Sequence, residues 1–282
     1  MKRILLPFTF LLALTSAGQS GWVKEKNELY IQLAYSSFQS DQYYNLDGAL
    51  LKTAEFSQQS TVLYGEYGLG KNFAILLNYV AYRWNGFETT QTVSGTGDAF
   101  LGVQYAINEG EFPISITVGP EIPLARANRF AMSTINDFDR INLPTGDGEW
   151  NVKATLAASH RYKDLPVYAS LYSTFNYRTS FEDEPFSNQV KTGLEIGYQP
   201  IKAMWIQAKL HAFASLGEPK GGSDFIRGEG TSFTAVEFTV SYSFTKRWMA
   251  VANTALYTDW VAQRKNLYSA PNYGLGIAFK LD

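Results

Sequence analysis

The sequence predicts an all-β fold, an antiparallel transmembrane β-barrel of about 12 strands with short periplasmic turns and long extracellular loops. Three observations predict it. The N-terminus reads as an export signal, apolar residues recur at every second position through the rest of the chain, and the connections alternate between short and long.

The first 20 residues are MKRILLPFTFLLALTSAGQS. Lys2 and Arg3 form a basic start, Ile4 to Leu14 an apolar run, and Ser16, Ala17 and Gly18 a small-residue exit. This is the three-part pattern of a secretory signal peptide. The run is shorter than the ~20 apolar residues a membrane helix needs. The expected organisation is a signal peptide over 1–18 and a barrel domain over 19–282, carried to the cell outer membrane. After the signal, no run reaches the ~18 apolar residues of a spanning helix.

Composition narrows the function classes. The 282 residues carry a net charge of -2, so there is no basic footprint for nucleic acid. There is no cysteine, which removes disulfides, thiol chemistry and cysteine metal sites. Two histidines are too few for a multi-histidine metal centre, and no cofactor is expected. Aromatic residues make up 15% of the chain, a load that a lipid-facing surface explains better than one compact core.

The strands follow in order. NELYIQLAYSSF sets Leu29, Ile31, Leu33 and Tyr35 on one face. STVLYGEYGL sets Leu63, Tyr67 and Leu69 against Tyr64 and Glu66. FAILLNYVAYRW has Phe73, Ile75, Leu77 and Tyr79 as its outer row, with Leu76 and Val80 leaving its phase open. GDAFLGVQYAI places Leu101, Val103, Tyr105 and Ile107 against Asp98, Phe100 and Gln104. PISITVGPEIP opposes Ile116 and Val118 to Thr117 and Glu121, and EWNVKATLAASH opposes Trp150, Val152 and Leu156 to Lys153 and Thr155. VYASLYSTFNYR sets Leu171, Phe175 and Tyr177 against Tyr168, Tyr172 and Arg178. NQVKTGLEIGY sets Leu194, Ile196 and Tyr198 against Lys191 and Glu195. AMWIQAKLHAF opposes Ile206 and Leu210 to Lys209 and His211, and TAVEFTVSYSF opposes Phe238, Val240 and Tyr242 to Glu237 and Thr239. WMAVANTALY fits either phase. YGLGIAFKLD closes the chain with Tyr273, Leu275, Ile277, Phe279 and Leu281 on one face and Gly274, Gly276, Ala278 and Lys280 on the other.

Long connections over 41–55, 85–96, 124–148, 179–187, 216–230 and 258–271 alternate with short ones such as LGKN, YKDLP and TKR. A soluble sandwich has no reason to segregate loop lengths this way, whereas outer-membrane barrels do so. Outer-row aromatics near strand ends, among them Tyr35, Tyr105, Tyr198 and Trp248, fit girdles at the two headgroup levels. Lipid holds no water for an unpaired strand edge, so the last strand must pair with the first. The expected partners are outer-membrane lipid and the barrel assembly machinery. The terminal aromatic that this machinery reads is displaced here to Phe279.

On this phasing the lumen carries the acids Glu66, Asp98, Glu121, Glu195 and Glu237 and the bases Lys153, Arg178, Lys191, Lys209 and Lys280. A strongly ion-selective pore shows one dominant sign. A balanced lumen means either a narrow polar passage or a closed interior of ion pairs. Bulky Tyr64, Phe100, Tyr168, Tyr172, Trp205 and Phe213 narrow it further, or line a route for an apolar solute. The 124–148 loop reads as an inward constriction or a plain surface loop.

Three stretches carry a family resemblance: GTGDAFLGVQYAI, GPEIPLA and LPTGDGEWNVKATLAASHRY. Together they resemble the outer-membrane barrel family named for the MetA pathway of phenol degradation. Gly95, Gly97 and Asp98 match its Gly-x-Gly-Asp approach to a strand. The opening GWVKEKNELYIQL and the stretch FSQQSTVLYGEYGLGKNFAI are similar to barrels of Bacteroidetes-type bacteria. The resemblance implies uptake of aromatic or other hydrophobic compounds and supplies no catalytic residues. The leading expectation is thus a passive channel for small apolar or aromatic solutes. The alternative is a structural or adhesion barrel with a closed lumen. A lipid hydrolase is disfavoured, because neither His160 nor His211 is followed by the His-x-Ser pair of such barrels.

Overall fold

The computed structural model describes residues 19–135, 140–217 and 228–281, so the expected signal peptide lies outside the described residues. Twelve long strands form the wall. They are β1 (Leu29–Tyr44), β2 (Leu50–Gly70), β3 (Phe73–Phe87), β4 (Ala99–Asn108), β5 (Ile114–Ile122) and β6 (Asn151–Arg161), then β7 (Val167–Arg178), β8 (Gln189–Ile201), β9 (Met204–Ser215), β10 (Ser232–Ser243), β11 (Trp248–Thr258) and β12 (Asn272–Leu281). Each pairs antiparallel with its sequence neighbours. The ring closes where β12 pairs with β1, from Leu29 opposite Leu281 to Ser37 opposite Tyr273.

Alternation decides the two faces. On β12, Tyr273, Leu275 and Ile277 are exposed on the outside while Ala278 is buried at 1%. On β7, Leu171 and Tyr177 face out, and Tyr168 and Tyr172 are buried inside. With lipid outside, the exposed apolar row is the favourable arrangement. The structure also settles the two open phases. In β3, Leu76 is buried in the lumen and Ile75 faces out. The pairing with β2 then slips by one residue between Val80 and Tyr82, a bulge that returns the exposed Tyr82 to the outer face. In β11, Met249 and Val251 point in, and Trp248 and Leu256 point out.

The loop assignments need correction on one side of the barrel. Residues 41–55 are not a long loop: β1 and β2 stay paired out to Tyr44 and Leu50. The turn between them is short, with Asn45 Oδ1 accepting the Asp47 and Ala49 N–H groups and Gly48 at φ +83°. The 85–96 segment also begins as strand, and residues 93–95 fold back to pair with Arg83–Asn85. These strand ends carry polar residues on both faces, so alternation of hydrophobicity ends before pairing does. Beyond the lipid, a strand needs no apolar face. The 124–148 loop carries a small hairpin, Phe130–Met132 against Arg140–Asn142. Its Ala131 and Leu143 pack in one cluster with Phe56, Val93 and Tyr268, so the loop lies across the mouth against the tall β1–β3 wall.

Candidate functional site: the lumen and its two closures

At the short-turn end, the chain ahead of β1 closes the barrel. Asn27 N–H donates to Gly68 O at 2.9 Å and Gly68 N–H to Glu28 O at 3.0 Å, so the segment starts against β2. It then crosses to the opposite wall. Ser20 O accepts from Ser115 Oγ at 2.6 Å and Gln104 Nε2 at 3.2 Å, while Gly21 N–H donates to Ser159 Oγ at 2.8 Å. Gly21 is required there, because a Cβ would lie 2.0 Å from Pro113 O. Trp22 meets Tyr168 edge-on at 5.6 Å, and Tyr168 meets Trp205 at 5.3 Å.

Around this plug the lumen is filled. Tyr30, Tyr64, Met249, Val251 and Ala278 form one buried cluster. On the far wall, Glu195, Lys209 and Glu237 stand opposite one another on β8, β9 and β10. Lys209 Nζ lies 3.0 Å from Glu195, with both side chains 4% exposed. Tyr168 OH donates to Glu195 at 2.6 Å and accepts from Gln207 at 2.7 Å. His211 Nδ1 lies 3.3 Å from Glu237. A buried ion pair is tolerable because its remaining polar atoms find partners in this way.

Toward the long-loop end the lumen opens into a cavity of about 510 Å³, with Gln19 on its floor. One wall is amide and hydroxyl: Asn151 and Thr155 of β6, Thr174 and Asn176 of β7, and Gln189 of β8. Beside it Lys153 Nζ pairs with Glu121 at 2.5 Å, and Asn151 Nδ2 donates to the other Glu121 oxygen at 2.9 Å. Aromatic rings flank this wall on both sides, Phe213 and Phe233 of β9 and β10 next to β8, and Phe100 of β4 in register with Glu121. Phe213 and Phe233 stack at 5.2 Å and 16°, and Phe100 lies 5.9 Å from the Lys153 ammonium. Lys191 stands next to Phe213 in register, also on the cavity surface. Its Nζ makes no ion pair within 4.0 Å among the described residues and lies 5.9 Å from the Tyr172 ring.

At the mouth, Arg178 gathers the loop bases. It is 1% exposed, donates to Glu149 at 2.7 and 2.9 Å and to Glu229 at 3.2 Å, and lies 4.5 Å over the Phe186 ring. Glu229 also accepts Ser187 N–H at 2.7 Å. The 124–148 loop is pinned in turn. Arg83 donates to Thr145 O at 3.1 Å, Asn85 to Pro144 O at 2.7 Å, and Asp98 accepts the N–H groups of Ala125 and Asp147. The Gly-x-Gly-Asp and PTGDG motifs therefore meet each other: Asp98 touches Gly146, where a Cβ would lie 2.3 Å from its carboxylate.

All twelve candidate lumen residues lie on the inner face or at its rim, but in different roles. Phe100, Glu121, Lys153, Arg178, Lys191 and Glu237 reach the cavity. Tyr172, Glu195, Trp205 and Lys209 are packed into the filled half. Glu66 is held by Tyr64 OH, and Asp98 holds the loop. Sequence reasoning missed Ser20 to Trp22, Arg83, Glu149 and Glu229. Each finds its partner far along the chain, and no local spacing marks it. Ser159 and His160 face opposite sides, Ser159 bonding Ser170 in the lumen and His160 stacking on Phe112 outside at 4.5 Å.

No family model matches the sequence, and no curated protein matches it. Among solved structures the chain is similar to an outer membrane channel from Pseudomonas putida F1, with a TM-score of 0.69 at 14% identity over 92% of this chain and 97% of that one. It is also similar to the β domain of the Bordetella autotransporter BrkA, with a TM-score of 0.52 at 12% identity over 91% and 100%. The translocator domain of the autotransporter NalP from Neisseria meningitidis gives 0.51 at 8% over 92% and 90%. At these identities the likeness shows the fold, an outer-membrane β-barrel.

Proposed function

We propose that this protein is a plugged passive channel of the cell outer membrane, through which small solutes pass when the segment at residues 19–26 leaves the lumen. One observation carries the reading. The cavity runs from the mouth to Gln19 and stops at a chain segment whose far end is held by hydrogen bonds with Gln104, Ser115 and Ser159 and a ring contact with Tyr168. A barrel with a purely structural role is simplest with its own side chains filling it, as in the short-turn half. Here half the lumen is left as a lined chamber behind a detachable strip.

The resemblance to the phenol-pathway barrels adds the finer expectation of an apolar or aromatic solute, and the three phenyl faces support it. The rest of the lining is amide, hydroxyl and charge, so the solute needs a polar edge as well. A hydrolytic role has no support in the lumen, since Ser159 and His160 are on opposite faces. The second reading, a structural barrel, is favoured by the plug and the filled half.

The test is single-channel conductance of the refolded full chain against a variant lacking residues 19–25. Rare, brief openings in the full chain and steady openings in the variant support the channel. A variant that is folded, judged by heat-modifiable migration on a gel, yet silent would overturn it in favour of the structural reading.

A further inference from the structure

We infer that the lumen cavity is a binding site for a neutral, polyhydroxylated solute of mono- to disaccharide size; this deepens the channel reading and rests on it.

The charge pattern selects against ions. Lys153 is matched by Glu121, and Lys191 faces a cavity that Glu237 also lines. With Asp147 and Arg178 also on its surface, the cavity carries three acids and three bases, so a simple anion or cation entering it meets as many like charges as opposite ones and gains little. A neutral solute meets no such conflict.

The polar wall selects for hydroxyls. Asn151, Thr155, Thr174, Asn176 and Gln189 form a polar network, with Thr155 bonded to Thr174 at 2.8 Å and Asn176 Nδ2 donating to Gln189 at 3.0 Å. Its remaining amide and hydroxyl capacity faces the cavity, and Lys191 adds a donor with no carboxylate within 4.0 Å among the described residues. Amides both donate and accept, and so does every sugar hydroxyl, so one ligand type answers the whole wall. A purely apolar solute would strip water from these groups and return nothing, a costly exchange.

The aromatic pair beside β8 supplies the complement. Phe213 and Phe233 stack with their planes 16° apart and both are half-buried, so the pair presents a ring face rather than two side-by-side rings to the cavity. A pyranose ring carries its C–H groups on flat faces and its hydroxyls at the edge. Laid on this platform, it turns its edge toward Lys191 beside Phe213 and toward the amide wall. The volume of about 510 Å³ leaves room for one or two such rings. A single benzene-sized solute would leave most of the wall unmatched. Small polar sites of this kind, one apolar surface with a few convergent polar groups, are the usual form of ligand pockets.

The test is isothermal titration of the refolded full chain in an amine-oxide detergent, which carries no sugar headgroup. Glucose, maltose, benzyl alcohol and benzoate are the probes. Saturable binding of glucose or maltose, tighter than that of either aromatic, is expected. Asn176→Leu and Phe213→Ala, each checked for heat-modifiable migration, should weaken sugar binding about tenfold. Two variants on different strands guard against one failing to fold. Tighter binding of benzyl alcohol or benzoate, no saturable heat with either sugar, or sugar binding unchanged in both folded variants would each overturn the assignment. The channel reading fails separately: a barrel that titrates with maltose but never conducts keeps the site and loses the passage.

Discussion

The two halves of the lumen are built from the same strands and solve opposite problems. In the short-turn half, Tyr168, Trp205 and Trp22 close over the Glu195–Lys209 pair, and the Glu195 carboxylate is answered by both Lys209 and Tyr168. In the long-loop half, Glu121, Lys153, Lys191 and the amides of β6 and β7 line a chamber. The difference lies in what stands opposite each side chain. Where aromatic rings and the incoming N-terminal segment face the wall, charges must pair completely, because an unpaired charge in a dry interior is prohibitive. Where the wall faces the cavity instead, Lys191 makes no ion pair within 4.0 Å among the described residues.

The largest stability effect should come from the mouth. Arg178→Met strands two carboxylates, Glu149 and Glu229, and should destabilise the fold by at least the ~3–5 kcal/mol typical of breaking a buried pair. Thermal or urea unfolding followed by gel migration reads this. A loss under about 1 kcal/mol, the exposed-pair range, would show the clamp is hydrated rather than buried.

Lys209→Met in the filled half should cost a similar ~3–5 kcal/mol by leaving Glu195 buried and unpaired. The double variant Glu195→Leu/Lys209→Met should recover most of it, since a packed apolar pair replaces the ions. If the double variant is as unstable as the single, the half is not dry and the contrast between the halves fails.

Lys153→Met in the chamber should cost much less, about 0–1 kcal/mol, because the Lys153–Glu121 pair is 29% and 23% exposed. A cost equal to that of Lys209→Met would erase the distinction.

The smallest effect belongs to a site outside both halves. Arg264 donates to Asp259 at 2.6 and 3.0 Å in the last long loop and lies 4.4 Å over the Tyr44 ring. The hydrogen bonds from Arg264 hold the Asp259 carboxyl below its ordinary range. A carboxylate depressed in the folded state contributes stability above its unfolded pKa and loses it as pH falls through the lower folded value. Asp259→Asn should therefore change stability by under about 1 kcal/mol at neutral pH and by nothing in strong acid. An equal effect at both pH values would count against the ion pair.

How much of this was legible differs by element. The alternation of β4, β7 and β12 is unbroken, and their faces could be assigned from the chain alone. In β3 the bulge between Val80 and Tyr82 slips the period by one, and in β11 small residues on both faces remove the contrast. The ends of β1 and β2 read as loop because polar residues occupy both faces once the strand leaves the lipid. Of the candidate site, the inward phase of all twelve residues was readable, but not which of them meet. Lys209 and Glu195 are neighbours by register, which turn lengths hint at; Arg178 and Glu229 are 51 positions apart and meet through two loops.

By itself the sequence determined the class of the fold, the pairing of first and last strands, and which side chains face lipid in every strand but β3 and β11. Period-2 alternation and the cost of an unpaired backbone in hydrocarbon leave no other solution. Only the tertiary structure decided that residues 19–22 enter the lumen, that the 124–148 loop lies across the mouth, and that half the lumen is filled and half is a chamber. Those outcomes depend on contacts between residues far apart in the chain, where shape and hydrogen-bond geometry select the partner and no local pattern records it.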